Sequence, residues 1–317
     1  MNKTINIVEE NQKNISGDLD KLVSKEMVFR KLRKDTIGRS PTHPTWGWYA
    51  YNVKKGKLKF KGEGLYKDFD YDIPKAAYSE KIASIMGKNL ISTARVPDID
   101  VVEESRNNPG LISYKILDND EEDMFHIRDL MFYKYEREEL EEKQDIFTIE
   151  DILECVKVQI RDDENYKKVE RSMIHTLLLD SVMNNGDRHS NNWALVRNKN
   201  TNWYELAIFD HSISLIDMIE EKTFYTYDGW VSSYVTVNEN NRNAIRKGGI
   251  GNDIVKYISK NYREYFEEFC NIFNEKLPNI IGQIKEENLP IDMRRLEKKL
   301  HERKHYLDVI RDREEER

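Results

Sequence analysis

Three oxygen-bearing side chains in the middle of the chain have the types and the spacing needed to bind a metal ion beside a proton acceptor. Asp187 is followed five residues later by Asn192, and Asp210 comes after two short strand-like runs. If these runs pair as a hairpin, Asn192 faces roughly residues 208–210 at the open end. An amide oxygen and a carboxylate suit Mg²⁺, which binds a few protein oxygens together with substrate phosphates. Asp187 would then orient an attacking hydroxyl group and accept its proton.

The elements around Asp187 must position these side chains. Upstream of it, apolar residues recur at helical spacing without Gly or Pro, namely Val169, Met173, Ile174, Leu177, Leu178, Val182 and Met183. The pattern predicts a buried helix that ends within residues 184–186, because Asn and Gly tolerate the left-handed conformation that ends helices. Downstream, residues 193–196 and 203–209 predict two strands, joined by a turn-like stretch over residues 198–202.

Each of these features also has a purely structural interpretation. Asp187 and Arg188 could form a local ion pair, residues 185–186 could simply cap the helix, and Asp210 with His211 could form a turn. Taken together, with a helix before them and a hairpin between them, they favour a functional site. In kinases, an Asp of the catalytic loop, an Asn five residues later and a second Asp supply the base and the metal ligands. The order and spacing found in this chain therefore predict phosphoryl transfer.

The same residues resemble a known family. Residues 185–192, Asn-Gly-Asp-Arg-His-Ser-Asn-Asn, resemble the N-x-D-R-H-x-x-N signature of HipA-like serine/threonine kinases. They are also similar to the G-D-R-H-x-x-N loop of phosphoinositide kinases. Residues 207–212, Ala-Ile-Phe-Asp-His-Ser, resemble the HipA-like segment in which Phe-Gly does not follow the metal-binding Asp. The absence of Phe-Gly argues against an ordinary eukaryotic-type protein kinase. The resemblance covers about residues 40–220.

This resemblance implies roles for individual residues. Asp187 would be the catalytic base, and Asn192 and Asp210 would bind Mg²⁺ together with ATP. His189 is a candidate second base, although the resemblance favours a scaffold role in which its imidazole hydrogen-bonds neighbouring backbone. The implied enzyme is a compact, stand-alone HipA-related kinase that transfers the γ-phosphate of ATP to a hydroxyl-bearing acceptor, expected to be a protein. The best-known HipA-like members are longer and act as toxins beside a DNA-binding antitoxin, so an antitoxin-type partner is left open here.

The candidates for nucleotide binding are a lysine and a glutamate in the N-terminal part. A kinase requires a strand lysine that contacts the nucleotide phosphates and pairs with a helix glutamate. Glu80 lies in a predicted helix over residues 78–87 and resembles the Glu of the HipA-like E-x-x-A helix. Lys67, in a strand predicted over residues 64–69, has the better spacing to that helix, and Lys61 is the alternative.

Residues 1–117 are expected to form a small β-rich N-lobe that carries these nucleotide-binding strands and the Glu80 helix. Residues 46–53 and 58–60 predict a hairpin, and residues 22–32 predict a short amphipathic helix. By their order along the chain and by the resemblance, residues 111–117 suit the hinge against which adenine packs.

Residues 118–317 are expected to form a larger helical C-lobe that carries the catalytic loop and the metal-binding Asp. Its last part, from about residue 252, predicts three helices punctuated by Pro278 and Pro290. The predicted fold class is therefore α+β, with the two-lobed architecture of protein kinases.

Composition limits the class of protein further. With 317 residues, of which 38% are hydrophobic, the chain can bury a substantial core. A formal net charge of −7 gives no general attraction to nucleic acids or anionic membranes, so neither is an expected partner. The two cysteines, Cys155 and Cys270, are predicted to be buried apolar residues. No signal-peptide-like or membrane-spanning run is present, which leads us to expect a cytoplasmic protein.

Two other functions are weighed against the kinase. A metallohydrolase could use Asp187, His189, Asp210 and His211 as nitrogen and oxygen ligands for a transition metal. Asn192 at kinase spacing counts against it, as does the lack of an H-x-H or H-x-x-x-H pair in this region. A nucleotide-binding pseudokinase would share the fold without turnover, but all three polar residues of the catalytic loop are present.

Overall fold

The computed structural model describes residues 5–6, 21–23, 27–31, 45–54, 57–67, 75–102, 109–136, 139, 146–219, 234–237 and 250–315. The chain divides into two compact units. The first unit comprises residues 1–81 and 97–115, and the second unit comprises residues 82–96 and 116–317. The division into lobes at residue 117 stays a prediction.

The described strands and helices follow one another in this order. The strands are β1 (Ile5–Asn6), β2 (Lys21–Val23), β3 (Met27–Lys31), β4 (Thr45–Lys54), β5 (Lys57–Lys67), β6 (Ala94–Arg95), β7 (Ile99–Val102), β8 (Gly110–Tyr114), β9 (Glu122–His126), β10 (Phe147–Thr148), β11 (Trp193–Asn198), β12 (Tyr204–Ile208) and β13 (Val235–Thr236). The helices are α1 (Ala76–Leu90), α2 (Ile127–Met131), α3 (Ile149–Gln159), α4 (Asp163–Met183), α5 (Ile216–Ile219), α6 (Ile250–Asn261), α7 (Arg263–Glu286) and α8 (Met293–Glu315). Within the described ranges, no helix has the length and apolarity needed to cross a membrane.

The first unit is built on an antiparallel sheet with the strand order β2-β3-β4-β5-β8-β7, and β1 also pairs with β5. The predicted hairpin over residues 46–60 is confirmed as β4 and β5. The two strands predicted over 58–60 and 64–69 are one continuous strand, β5, which ends at Lys67. Gly64 allows β8 to approach β5 closely, because a Cβ there would lie 2.6 Å from the carbonyl oxygen of Ser113 on β8.

The prediction of a helix over residues 22–32 is wrong. This segment contains β2 and β3, and β3 pairs with β4 through Val28 opposite Tyr51 and Phe29 opposite Ala50. Aromatic and β-branched residues favour a strand wherever a neighbouring strand can accept their backbone hydrogen bonds. The neighbouring strand here is β4, and the periodicity of residues 22–32 alone gives no information about this pairing.

The second unit surrounds the long helix α4, whose residues 172–183 are all buried. Strand β12 and helices α6 and α7 pack against it, and a four-stranded sheet in the order β6-β12-β11-β9 lies beside it in the same unit. Burial lowers the pKa of His175 on this helix to about 4, so the imidazole is neutral at physiological pH. Cys155 and Cys270 are buried free thiols, as predicted.

The three C-terminal helices are confirmed as α6, α7 and α8. Pro278, predicted to punctuate this region, lies inside α7 without ending it. The apolar face of α7 is buried on both sides of the proline. Phe273 and Leu277 precede it, and Ile280 and Ile284 follow it. Tertiary packing thus offsets the backbone hydrogen bond that proline removes.

Candidate active site

The catalytic-loop candidate begins where α4 ends. Asn184 adopts the left-handed conformation, with φ of 56°, and this ends the helix where the sequence predicted. Asn185 then ties the loop to the helix, because its Nδ2 donates to Asp180 Oδ1 at 2.7 Å. Its Oδ1 accepts a hydrogen bond from the backbone N–H of Asp187 at 3.1 Å. Asn185 therefore anchors the loop to α4 and also fixes the backbone at Asp187.

A fully buried ion pair lies beneath this loop. Arg188 donates to both carboxylate oxygens of Asp180, through Nε at 2.8 Å and Nη2 at 2.9 Å, and neither side chain is exposed. Nη1 of the same guanidinium donates to the carbonyl oxygens of Asn192 and Phe209. The ionic partner of Arg188 is thus Asp180 on α4. One side chain thereby connects the helix, the loop and the strand that leads to Asp210.

The hairpin brings Asn192 and the residues before Asp210 together. In the β11–β12 ladder, Trp193 lies opposite Ile208, and the backbone N–H of Phe209 donates to the carbonyl oxygen of Asn192 at 3.2 Å. This confirms that Asn192 faces residues 208–210. The Asn192 side chain is nearly buried, and its Nδ2 donates to the carbonyl oxygen of Asp187 at 2.7 Å. Direct hydrogen bonds therefore link Asn192 to the backbone of Asp187 and to the backbone of Phe209, the residue before Asp210.

The donor set of this site fits Mg²⁺. The amide nitrogen of Asn192 is used by the loop, which leaves its Oδ1 as the acceptor of that side chain. Asp210 supplies a carboxylate from a residue with φ of 60°, a left-handed conformation that is uncommon for residues other than glycine and concentrates at functional sites. One amide oxygen and one carboxylate, completed by phosphate oxygens and water, are the ligands that Mg²⁺ takes in nucleotide sites.

His189, one of the two histidines of the region, has structural contacts. The Nδ1 atom of His189 accepts a hydrogen bond from the backbone N–H of Asn191 at 3.2 Å, and its ring meets Tyr234 edge to face. This is the kind of backbone contact that a scaffold role requires. His211 is buried. Among the described residues, no three His, Cys, Asp or Glu side chains are grouped so as to hold a metal ion. The ligand cluster of the metallohydrolase alternative is therefore not assembled.

The first unit contains the other two predicted site residues, and it brings them together. Lys67 ends β5, where it lies opposite Leu111 in β8, and its Nζ is 3.6 Å from Oε1 of Glu80 on α1. Glu80 is 2% exposed and Lys67 is 16% exposed. Lys61, the alternative, forms an ion pair with Asp100 instead. Of the two lysines, Lys67 therefore has the glutamate partner that a nucleotide lysine requires.

Sequence reasoning missed the Asp180–Arg188 pair. The available signal was Asp180 itself, a single acidic residue among the apolar residues near the end of the predicted helix, eight residues before Arg188. A carboxylate in such a position needs a buried partner, because an unpaired charge is costly to remove from water. The identity of that partner depends on the fold of the loop.

The similarity of this chain to known proteins is found by comparison of structures and not by comparison of sequences. No protein-family model matches the sequence, and none of the curated proteins matches it. The proinflammatory kinase CtkA of Helicobacter pylori superimposes with a TM-score of 0.62 and 17% identity, over 89% of this chain and 94% of CtkA. HipA of Shewanella oneidensis MR-1, solved in the toxin–antitoxin complex with HipB and operator DNA, gives a TM-score of 0.54 and 14% identity, over 98% of this chain and 74% of that chain. The chain therefore has a two-lobed, HipA-like kinase fold, which confirms the predicted fold class and, at the level of the fold, the resemblance.

Proposed function

We propose that this protein is a kinase that transfers the γ-phosphate of ATP to a hydroxyl group in a Mg²⁺-dependent reaction, with serine or threonine of a protein as the expected acceptor. The observation that carries the proposal is the hydrogen bonding of Asn192 to Asp187 and to Phe209, the residue that directly precedes Asp210. The HipA-like fold supports it. Residues 1–117 and 118–317 are proposed as the N-lobe and the C-lobe, and a cytoplasmic location belongs to the same proposal.

The residues of the second unit have distinct roles in this proposal. Asp187 orients the acceptor hydroxyl and takes its proton. Asn192 and Asp210 hold Mg²⁺, which when bound neutralises charge on the phosphates. His189 supports the loop through its backbone contact with Asn191. In the first unit, Lys67 contacts the nucleotide phosphates, and Glu80 orients Lys67 through their ion pair.

Incubation of the purified protein with γ-labelled ATP and Mg²⁺, alone and with cell lysate, tests the proposal. We expect labelled protein or labelled acceptor from the wild type. Asp187→Asn should lower the transfer rate by about 10²- to 10⁴-fold, the usual contribution of a general base, and should leave ATP binding largely intact. Asp120→Asn, at an exposed position, is the matched control and should transfer at the wild-type rate. Normal turnover by the Asp187→Asn protein would contradict the assignment.

The alternatives make different predictions in the same experiments. A pseudokinase would bind ATP without transfer in either lysate or buffer. A metallohydrolase would contain stoichiometric zinc or iron by elemental analysis, an outcome that the absence of a ligand group among the described residues disfavours. A DNA-binding antitoxin-type partner, left open by the sequence, is not part of this proposal.

A further inference from the structure

His126 lies outside the sequence motif and contacts both segments of the candidate site. It ends β9, where it lies opposite Ala194 of β11. Its Nδ1 is 2.9 Å from the carbonyl oxygen of Asn191, and its ring meets the ring of Phe209 edge to face with 5.8 Å between centroids. Asn191 directly precedes one proposed metal ligand, and Phe209 directly precedes the other. A single imidazole therefore touches the neighbour of each ligand.

The backbone around His126 is also attached to the loop. The backbone N–H of His126 donates to Asp129 Oδ2 at 3.0 Å, which fixes the start of α2. Two residues after His126, the backbone N–H of Arg128 donates to the carbonyl oxygen of Ser190 at 3.1 Å. The junction of β9 and α2 thus binds two successive residues of the loop, one through backbone and one through the imidazole. This attachment restricts where the imidazole can lie.

The chemistry of the contact assigns the direction of the hydrogen bond. A backbone carbonyl only accepts, so Nδ1 carries the hydrogen and donates it to Asn191. Arg188 binds the carbonyl oxygens of Asn192 and Phe209. His126 therefore holds the same two segments as Arg188, through different atoms.

We infer that His126 is a positioning residue that keeps Asn192 and Asp210 aligned to share one Mg²⁺ ion. The inference rests on the proposed function, because it assumes that these two residues are the metal ligands. Groups that orient metal ligands without touching the metal are worth about 10- to 100-fold in metal affinity or activity. Loss of the His126 contacts should therefore weaken Mg²⁺-dependent nucleotide binding although Asp187, Asn192 and Asp210 themselves are not substituted.

Three substitutions separate the hydrogen bond from the ring contact. His126→Asn places an amide N–H near the position of Nδ1 and removes the ring. His126→Gln removes the ring in the same way but places its amide near the position of Nε2, from which Asn191 is not reached. His126→Phe keeps a ring against Phe209 and removes the donor. His301→Asn, on the exposed side of α8, is the matched control.

The readout is ATP binding by calorimetry as a function of Mg²⁺ concentration, with the thermal unfolding midpoint measured in parallel. We expect His126→Gln and His126→Phe to raise the half-saturating Mg²⁺ concentration by about tenfold or more. His126→Asn should raise it by less than His126→Gln, and His301→Asn should leave it unchanged. A purely structural role would lower the unfolding midpoints of the His126 variants without moving the Mg²⁺ dependence.

The outcomes distinguish this inference from the proposed function. If the wild type binds ATP with Mg²⁺ and all three His126 variants have the same Mg²⁺ dependence as the wild type, the inference is overturned and the proposed function stands. An equal rise of the half-saturating Mg²⁺ concentration in His126→Asn and His126→Gln would also overturn the assignment of the hydrogen bond from Nδ1. If the wild type shows no Mg²⁺-dependent ATP binding, the proposed function fails and the inference fails with it. Should His126→Phe not fold, the comparison of Asn with Gln decides.

Discussion

The catalytic loop and the Lys67–Glu80 pair carry the two halves of the proposed chemistry, and they are held in different ways. The loop rests on the Asp180–Arg188 ion pair, which has no exposed side-chain surface and whose hydrogen bonds are 2.8 and 2.9 Å long. Lys67 and Glu80 are separated by 3.6 Å, and Lys67 keeps 16% of its side-chain surface exposed. The first arrangement is fixed by fully buried hydrogen bonds, whereas the second joins a buried glutamate to a lysine that keeps part of its side-chain surface exposed.

The buried loop support indicates that the catalytic-loop candidate is the preformed part. Groups that must hold a metal ion and orient a hydroxyl gain from rigidity, because misplacement of reacting atoms is costly. A lysine that binds phosphates must be able to exchange part of its contact with glutamate for the ligand. Loss of Arg188 should therefore affect stability first, whereas loss of Lys67 should affect activity first.

The largest expected effect is that of Arg188→Met, which removes the guanidinium but keeps a side chain of similar length. Asp180 would remain buried without its partner, and breaking a buried ion pair in this way costs about 3–5 kcal/mol of unfolding free energy. Urea unfolding followed by circular dichroism measures the change. Arg263→Met is the control, because the Arg263–Glu267 pair is exposed and such pairs contribute about 0.3–0.5 kcal/mol. A loss below about 1 kcal/mol for Arg188→Met would mean that the loop does not depend on this pair.

In the first unit, replacement of Lys67 is expected to have a smaller effect in free energy. Lys67→Met should lower the phosphoryl-transfer rate by about 100-fold, equivalent to about 2.7 kcal/mol, because a charge that stabilises the transferring phosphates is lost. Its unfolding free energy should change less than that of Arg188→Met. Lys61→Met is the matched control on the same strand, and it should retain transfer. If Lys61→Met is the inactive variant and Lys67→Met is active, the nucleotide lysine has been assigned to the wrong residue.

Much of the second unit was predictable because its contacts are local in sequence. The stripe from Val169 to Met183 predicted the helix, Asn184 predicted its end, and the turn-like residues 198–202 predicted the hairpin and its register. Each of these signals acts over a few residues. The order of Asp187, Asn192 and Asp210 could then be converted into proximity without knowledge of the rest of the fold.

The remaining features depend on contacts between distant segments. His126 lies 65 residues before Asn191, and no periodicity or motif connects them. Residues 22–32 were predicted as a helix because the pairing of β3 with β4 is not visible in the segment itself. Pro278 was expected to interrupt a helix that tertiary packing keeps continuous. In the last two cases, contacts supplied by the fold outweigh the local preference of the sequence.

Whether Asn192 and Asp210 hold the same metal ion can be measured with a double-mutant cycle on metal binding. Binding of Mn²⁺ in the presence of ATP, followed by electron paramagnetic resonance, is measured for Asn192→Ala, Asp210→Asn and the double variant. If both side chains hold one ion, each single substitution weakens binding by about tenfold or more, and the double variant binds little worse than the weaker single variant. Unchanged affinity in either single variant, or effects that multiply as for independent sites, would contradict the claim that these two residues share a metal ion beside Asp187.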